Sequence, residues 1–163
     1  MAGKIRVGIG YDVHRFTGGS GLVLGGVEIP FDKSLSGWSD ADVLTHAVID
    51  ALLGAAGMGD IGSHFPPGAP EYKDISSLIL LEKARDKVMD AGWQVGNIDA
   101  TIITERPIIK EYVGDIRQQL GRALGIDAGQ VSIKAKTSEK MGFIGREEGM
   151  AACAVALIES GVD

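Results

Sequence analysis

The chain has 163 residues, 45% of them hydrophobic but only 6% aromatic, with 24 glycines. That length is about one domain's worth and buries roughly two-thirds of the surface of the unfolded chain, which disfavours a disordered polypeptide; an aliphatic core with frequent turns is the composition of a small α/β domain. Sixteen Lys and Arg against 22 Asp and Glu leave a net charge of −6, which argues against a nucleic-acid surface built on phosphate neutralisation, so a phosphate ligand would need a local source of attraction.

The alternation of Ile5, Val7, Ile9 and Tyr11 with Arg6, Gly8, Gly10 and Asp12 has the period of a strand. Leu22 to Ile29, broken by Gly25-Gly26, predicts a second strand with a bulge or turn, ended by Pro30. From Ser39 the period becomes helical: Val43, Leu44, Ala47, Val48, Ala51 and Leu52 recur at helical spacing, Ser39 or Asp40 can cap the start, and Gly54 and Gly57 mark the end. Met58 to Asp74 carries three Pro and three Gly, too much punctuation for regular structure, and long loops of this kind are often functional. Ile75 to Ala91 predicts a helix closed by Gly92, Ile98 to Thr104 a strand, Lys110 to Leu124 a helix capped by Gly125, and Val131 to Ala135 a strand. Met150 to Ile158 is read as a strand because so short an apolar run rarely makes an independent helix. The expected fold class is α/β (α+β): one domain over residues 1–163, with a mixed β-sheet and helices packed on one face.

The single Cys153 has no internal disulfide partner and lies in an apolar run, so a buried thiol in a reducing compartment is expected. No apolar run approaches the ~18 residues of a spanning helix. Asp12, His14 and Arg15 cut the N-terminal hydrophobic stretch short, which a signal peptide would not tolerate. A soluble cytoplasmic protein without membrane contact is the expectation.

Period-two geometry puts Asp12 and His14 on one face of the first strand, where both can ligate one ion. His46 lies in the first predicted helix with Asp42 and Asp50 at i−4 and i+4. One Asp and two His leave a tetrahedral zinc with an open fourth position, the arrangement of a catalytic site, and Asp42 or Asp50 could orient His46 through its second nitrogen. On spacing alone, an ordinary strand-end pair, a solvated acidic helix face and a satisfied core histidine compete with that reading. Asp60 among Gly59, Ile61 and Gly62, followed by Phe65, Pro66, Pro67, Gly68 and Ala69, suits hydroxyl contacts and close approach of a ligand, or is an ordinary turn. Lys136, Thr137, Ser138, Glu139 and Lys140, running into Phe143 and Arg146, offer hydroxyls and cations that can cradle phosphates, with Glu139 able to hold a second, hard divalent cation. The phosphate-loop order GxxxxGK[ST] and the dinucleotide fingerprint are both missing, and Cys153 in apolar surroundings is a poor nucleophile.

Six ordered segments carry a family resemblance. They are Gly10 to His14, Leu24 to Pro30, Ser39 to Ala47, Asp50 to Ala56, Gly59 to Gly62 and Thr137 to Gly149, and together they closely resemble the 2-C-methyl-D-erythritol 2,4-cyclodiphosphate synthases over nearly the whole chain. The resemblance implies conversion of 4-diphosphocytidyl-2-C-methyl-D-erythritol 2-phosphate into the cyclic diphosphate and CMP in the non-mevalonate isoprenoid pathway, by a homotrimer with active sites between subunits. By position it implies Asp12, His14 and His46 as zinc ligands and Glu139 as the contact of a second ion, Mg2+ or Mn2+. It further implies Asp60 as a diol- or ribose-contacting acid and Thr104, Glu105, Arg106, Pro107, Ile108, Ile109 and Lys110 as the backbone pocket for cytosine. Thr137 takes a role in transition-state stabilisation, Ser39, Lys136 and Ser138 join the substrate contacts, and Phe143 and Arg146 lie near the trimer axis. The family's apolar central cavity has room for a terpenyl diphosphate.

Three positions depart from the family pattern. Trp38 stands at the catalytic position where a His usually precedes Ser39-Asp40, Ile108 replaces a common Lys, and Ser76-Ser77 replaces Asp-Ser. An indole donates one N–H and cannot become cationic, so activity is expected to lack the corresponding pH dependence. Two rival functions follow from the same residues: a generic zinc phosphoesterase, which would release inorganic phosphate, and an inactive trimeric isoprenoid-binding module.

Overall fold

The computed structural model describes residues 4–160. Strand β1 (Ile5–Gly18) pairs antiparallel with β7 (Gly149–Ser160) on one side and with the short β4 (Lys33–Leu35) on the other. Strand β5 (Trp93–Ile103) continues the sheet antiparallel to β7, and β6 (Val131–Lys136) ends it parallel to β5, in the order β4-β1-β7-β5-β6. That parallel step requires a crossover, supplied by α4 (Val113–Leu124). With α1 (Val43–Ala56) and α3 (Ser77–Asp90), α4 packs its buried side chains against the sheet, so the expected single domain with a mixed sheet and helices is the fold observed.

The helix-facing side of β1 is made of glycine. Gly8 and Gly10 lie against α1, and a Cβ at either would overlap the backbone oxygen of Ala51 or Ala47. Opposite them on β7, Ala156 and Ala154 keep the floor equally flat. Leu44, Val48 and Leu52 of α1 are consequently fully buried, each contributing about 1.5–3 kcal/mol of apolar burial. The large residues of β1 point the other way: Val7 is 66% and Ile9 71% exposed, with Ile5, Tyr11 and Val13 beside them. Cys153 pairs with Tyr11 and Thr101 on this outward side and is half-buried, a correction to the buried thiol expected from its apolar neighbours. Strand parity, rather than local hydropathy, decides its exposure.

Gly25 and Gly26, with φ of 57° and 73°, form the turn of a separate hairpin, β2 (Gly21–Leu24) and β3 (Val27–Pro30), so the interruption is a turn and not a bulge. Helix α1 is capped by Asp42, whose side chain accepts from the Thr45 N–H, and not by Ser39 or Asp40. Gly57, at φ 73°, ends it as expected. The Met58–Asp74 segment is not wholly irregular: it holds the single-turn α2 (Ile61–His64), capped by Asp60, and a 3₁₀ turn at Pro70–Tyr72. Local caps suffice to form one turn even in a Pro/Gly-rich stretch. The helix expected from Lys110 begins as a 3₁₀ turn and becomes α-helical at Val113, and β5 starts at Trp93, ahead of a register irregularity between Val95 and Asn97. A second single turn, α5 (Gly142–Gly145), precedes β7. Among the described residues no helix is long and apolar enough to cross a membrane.

Candidate metal centre and active site

The parity that turns Gly8 and Gly10 toward α1 turns Asp12 and His14 the same way, and α1 brings His46 to meet them. Asp12 Oδ2 lies 2.9 Å from His14 Nε2 and 3.0 Å from His46 Nδ1, and the two ring nitrogens are 3.1 Å apart. A tetrahedral site with bonds of about 2.0–2.1 Å has edges of about 3.3 Å. The triangle is therefore within a few tenths of an ångström of metal-ligand geometry, slightly tighter than a bound ion would hold it. One carboxylate and two imidazoles, with a fourth direction open to the neighbouring pocket, fit a divalent metal.

Burial opposes ionisation of Asp12, but hydrogen bonds and charge from His14 and His46 outweigh it and hold its carboxyl far below the usual range. Burial likewise depresses His14, yet the bond to Asp12 and its charge leave the imidazole above its ordinary value. His14 Nδ1 donates to the Ser36 carbonyl at 2.6 Å, which leaves Nε2 as the nitrogen facing the triangle in the neutral ring.

The carboxylates expected to orient His46 are engaged elsewhere. Asp42 is fully buried and accepts from the Gly25 N–H at 2.9 Å, the Gly26 N–H at 2.8 Å, and the Thr45 N–H and hydroxyl at 2.9 and 2.7 Å. As the cap of α1 it is drawn back onto its own first turn and pinned to the hairpin. Asp50 accepts from the Ile61 N–H at 2.7 Å and anchors α2; burial pushes both carboxyls above their ordinary values. His46 Nε2 instead meets Ser77 Oγ at 2.8 Å and Ser39 Oγ at 3.0 Å. Ser77, fully buried, is in turn bonded through both its N–H and its hydroxyl to the Asp40 carboxylate.

Beside the two histidines lies a pocket of about 200 Å³ lined by Trp38, Ser39, Ile61, Gly62, Phe65, Pro67, Tyr72 and Leu80. Six of these are among the residues singled out from the sequence. Tyr72 and Leu80 were missed; Tyr72 stands edge-on to Phe65 with ring centroids 5.6 Å apart, a contact that local sequence does not reveal. Trp38 donates its indole N–H to the Ala69 carbonyl at 3.0 Å, tying the wall at residues 65–69 to the segment that carries Ser39. Asp60 uses Oδ1 to accept from the Ser63 N–H and hydroxyl at 2.8 and 2.7 Å, which holds its carboxyl below the ordinary value.

The other predicted residues form a second cluster where β5, β6 and β7 meet. The Thr104 N–H donates to the Lys136 carbonyl at 2.9 Å and the Thr104 hydroxyl to the Arg106 carbonyl at 2.5 Å. Glu105 Oε1 accepts from the N–H and hydroxyl of Ser138 at 3.0 and 3.1 Å and from the Lys140 N–H at 3.2 Å, and Thr137 donates to Glu139 at 3.3 Å. Arg106 reaches Glu147 at 2.8 Å, Ile108 is exposed, Ile109 is buried, and Lys110 opens the 3₁₀ turn before α4. Phe143 lines a shallow outward pocket with Tyr11, Val13 and Arg15, and Arg146 pairs with Glu148 at 2.7 Å. Strand β6 is three places from β1 in the sheet, about 14 Å at the usual spacing. None of Thr104 to Lys110 or Lys136 to Arg146 lines the metal-side pocket.

Fold and site together define a mixed α/β domain with an open Asp-His-His cluster whose donor set fits a metal ion. The chain belongs to the YgbB family, whose pattern matches residues 5–159. It is 57% identical over 155 residues to 2-C-methyl-D-erythritol 2,4-cyclodiphosphate synthase of Dehalococcoides mccartyi strain CBDB1, covering 95% of this chain and 99% of that protein. It is 52% identical over 159 residues to the synthase of Thermosynechococcus vestitus, covering 98% and 99%. Among solved structures, the bifunctional IspDF from Campylobacter jejuni superposes with a TM-score of 0.94 at 38% identity, over 98% of this chain and 43% of that longer one. The CDP complex of IspF from Plasmodium falciparum does so at 0.85 and 33% identity, over 99% and 100%.

Proposed function

We propose that this protein is a cyclodiphosphate synthase that converts 4-diphosphocytidyl-2-C-methyl-D-erythritol 2-phosphate into 2-C-methyl-D-erythritol 2,4-cyclodiphosphate and CMP. The observation that carries the reading is the Asp12–His14–His46 triangle, opening on a pocket in a chain whose relatives bear that name over nearly their full length. Asp12, His14 and His46 would hold the metal, zinc in this reading, and it would supply Lewis acidity that offsets the diphosphate's charge. A 2-phosphate oxygen attacks the β-phosphorus, the bond to CMP breaks, and CMP leaves with the electron pair; the nucleophile is already anionic and needs no base. The chain's task is positioning and charge stabilisation. Ser39 and the walls at Ile61–Gly62 and Phe65–Ala69 bound the space beside the metal ligands, and Asp60, whose second carboxylate oxygen is not used in capping α2, meets the diol or ribose.

Glu139 contacts the second cation, Mg2+ or Mn2+, and Lys136, Thr137 and Ser138 cradle the phosphates, while Thr104 to Lys110 receive cytosine. The phosphate segment follows β6, three places from β1 in the sheet, and Thr104 to Lys110 follow β5, two places from it; this separation supports a homotrimer in which one subunit's triangle faces its neighbour's phosphate and cytosine segments. The exposed apolar side of β1 supports the same assembly, with Phe143 and Arg146 toward the axis and a terpenyl diphosphate as the ligand that axis would take. The cytoplasm is the proposed location.

The test is mass spectrometry of products after mixing the protein with substrate, zinc and magnesium, beside His46→Ala. Equal amounts of CMP and cyclic diphosphate, lost in the variant, are expected. CMP with a linear hydrolysis product would instead favour the phosphoesterase, and intact substrate on a folded, zinc-loaded protein the binding module.

A further inference from the structure

We propose that Asp40, acting through Ser77, biases His46 toward the Nε2–H tautomer, the form that offers Nδ1 to the metal. The Ser77 hydroxyl has one proton, and the Asp40 carboxylate, an acceptor only, takes it. The Ser77 N–H donates to the other carboxylate oxygen at 2.9 Å, so Asp40 holds the residue by two bonds and leaves the hydroxyl little freedom to rotate. Ser77 Oγ therefore presents a lone pair to His46 Nε2, 2.8 Å away. A bare Nε2 would set lone pair against lone pair at that distance, so Ser77 favours the proton on Nε2. Nδ1 lies 3.0 Å from Asp12 Oδ2 and 3.1 Å from His14 Nε2, where the Asp12 carboxylate competes for the same proton until a metal takes that place; Asp40 and Ser77 weigh the balance toward the Nε2–H form that a metal on Nδ1 requires. Ser39 Oγ, 3.0 Å from Nε2 and 3.4 Å from Ser77 Oγ, is consistent with this polarity: it can accept from the ring while donating to Ser77.

Asp40 and Ser77 are thus positioning residues, and neither needs to touch substrate. On the other ligand the Ser36 carbonyl does the same work from the opposite nitrogen, taking the proton of His14 Nδ1 and freeing Nε2. Partners of this kind typically change metal affinity about 10–100-fold when removed.

The inference deepens the metal reading above, and only its affinity arm rests on that reading, since the tautomer is observed without metal. In nitrogen-15 histidine spectra of the metal-free protein, at a pH where the ring is neutral, the Nε2–H form of His46 is expected beside the Nδ1–H form that Asp12 favours; a share of Nε2–H unchanged in both Asp40→Asn and Ser77→Ala overturns the proposal. Asp40→Asn, whose amide can donate to Ser77 Oγ and turn the Ser77 proton onto Nε2, should shift His46 toward Nδ1–H. Zinc affinity by competition with a chelating dye should fall about 10–100-fold in Asp40→Asn and Ser77→Ala and largely return in Ser77→Thr, which keeps the hydroxyl. Circular dichroism identifies any variant that fails to fold, and two variants at separate residues keep the comparison open. Wild-type affinity in both variants would sink the proposal, whereas a loss of the Nε2–H form in the variants of a protein that binds no zinc would leave it standing and remove the metal reading instead.

Discussion

Gly10 of β1 and Ala47 of α1 touch backbone to backbone, with no room for a Cβ between them. Asp12 follows two residues later on the same face and His46 immediately precedes Ala47, so this contact sets the distance between the ligands on the strand and the ligand on the helix. Gly10→Ala is expected to cost about 1–3 kcal/mol or more, as overpacking does, and to lower zinc affinity by spreading the triangle. Gly18→Ala, at a site with nothing within 4 Å, is the control. Denaturant unfolding and metal titration of both variants check this, and equal behaviour would remove the argument.

Asp42→Ala removes the acceptor of three backbone N–H groups and the Thr45 hydroxyl in a fully buried place. A lost cap and several unsatisfied donors together should cost about 3–5 kcal/mol, and Asp42→Asn less, because one acceptor oxygen remains. Thermal unfolding of the two variants gives the order.

His14 links metal binding to pH. Burial lowers its proton affinity but Asp12 more than restores it, so in the metal-free protein its value lies above that of the unfolded chain, about 6.5. The stabilisation from the protonated ring is complete below that pH and fades as pH rises through the raised value. Asp12, held low, adds stability that is lost only when pH falls below the ordinary carboxylate range. Metal must displace the His14 proton, so zinc affinity should decline on acidification from above pH ~6.5, while the metal-free protein gains stability over the same interval. Chelator competition and unfolding across that range measure both; zinc retention flat to about pH 4 would contradict the ligand assignment.

Trp38→Phe keeps the apolar wall and loses only the N–H to Ala69. Hydrogen exchange at residues 65–72 should quicken, with KM rising more than kcat falls. Trp38→His should introduce an ionisation into the rate profile that the native protein lacks, and a profile unchanged from native would count against a role for this position near the phosphates.

The exposed Val7 and Ile9 offer a test of assembly. If the proposed trimer forms through this face, Ile9→Glu should convert it into monomers in sedimentation while leaving the fold intact, since that side chain is 71% exposed. A variant that remains trimeric would place the interface elsewhere.

Much of this was legible in the residues. Spacing put Asp12 and His14 on one strand face and His46 on a helix, because strand and helix periods are local properties, and the strands and helices followed for the same reason; that the three form one cluster was implied by the family resemblance, since on spacing alone a strand-end pair and a core histidine competed with it. The partner of His46 was not legible. Ser77 lies 31 residues away and reaches it only because Asp40 draws the start of α3 against the loop before α1, a contact between segments with no shared periodicity. The outward direction of the apolar side of β1 was equally hidden: alternation gives two faces, but only the glycines' need to admit a helix backbone says which is inside.

Strand β1 therefore serves two masters by parity alone. Its even-numbered residues from Gly8 to His14 admit the helix and carry the ligands, and its odd-numbered residues from Ile5 to Val13 make the apolar outer surface. Inserting or deleting one residue within it would exchange the two sets at a stroke. Substitutions can tune chemistry or assembly separately along this strand, but a change of its length must preserve or destroy both together.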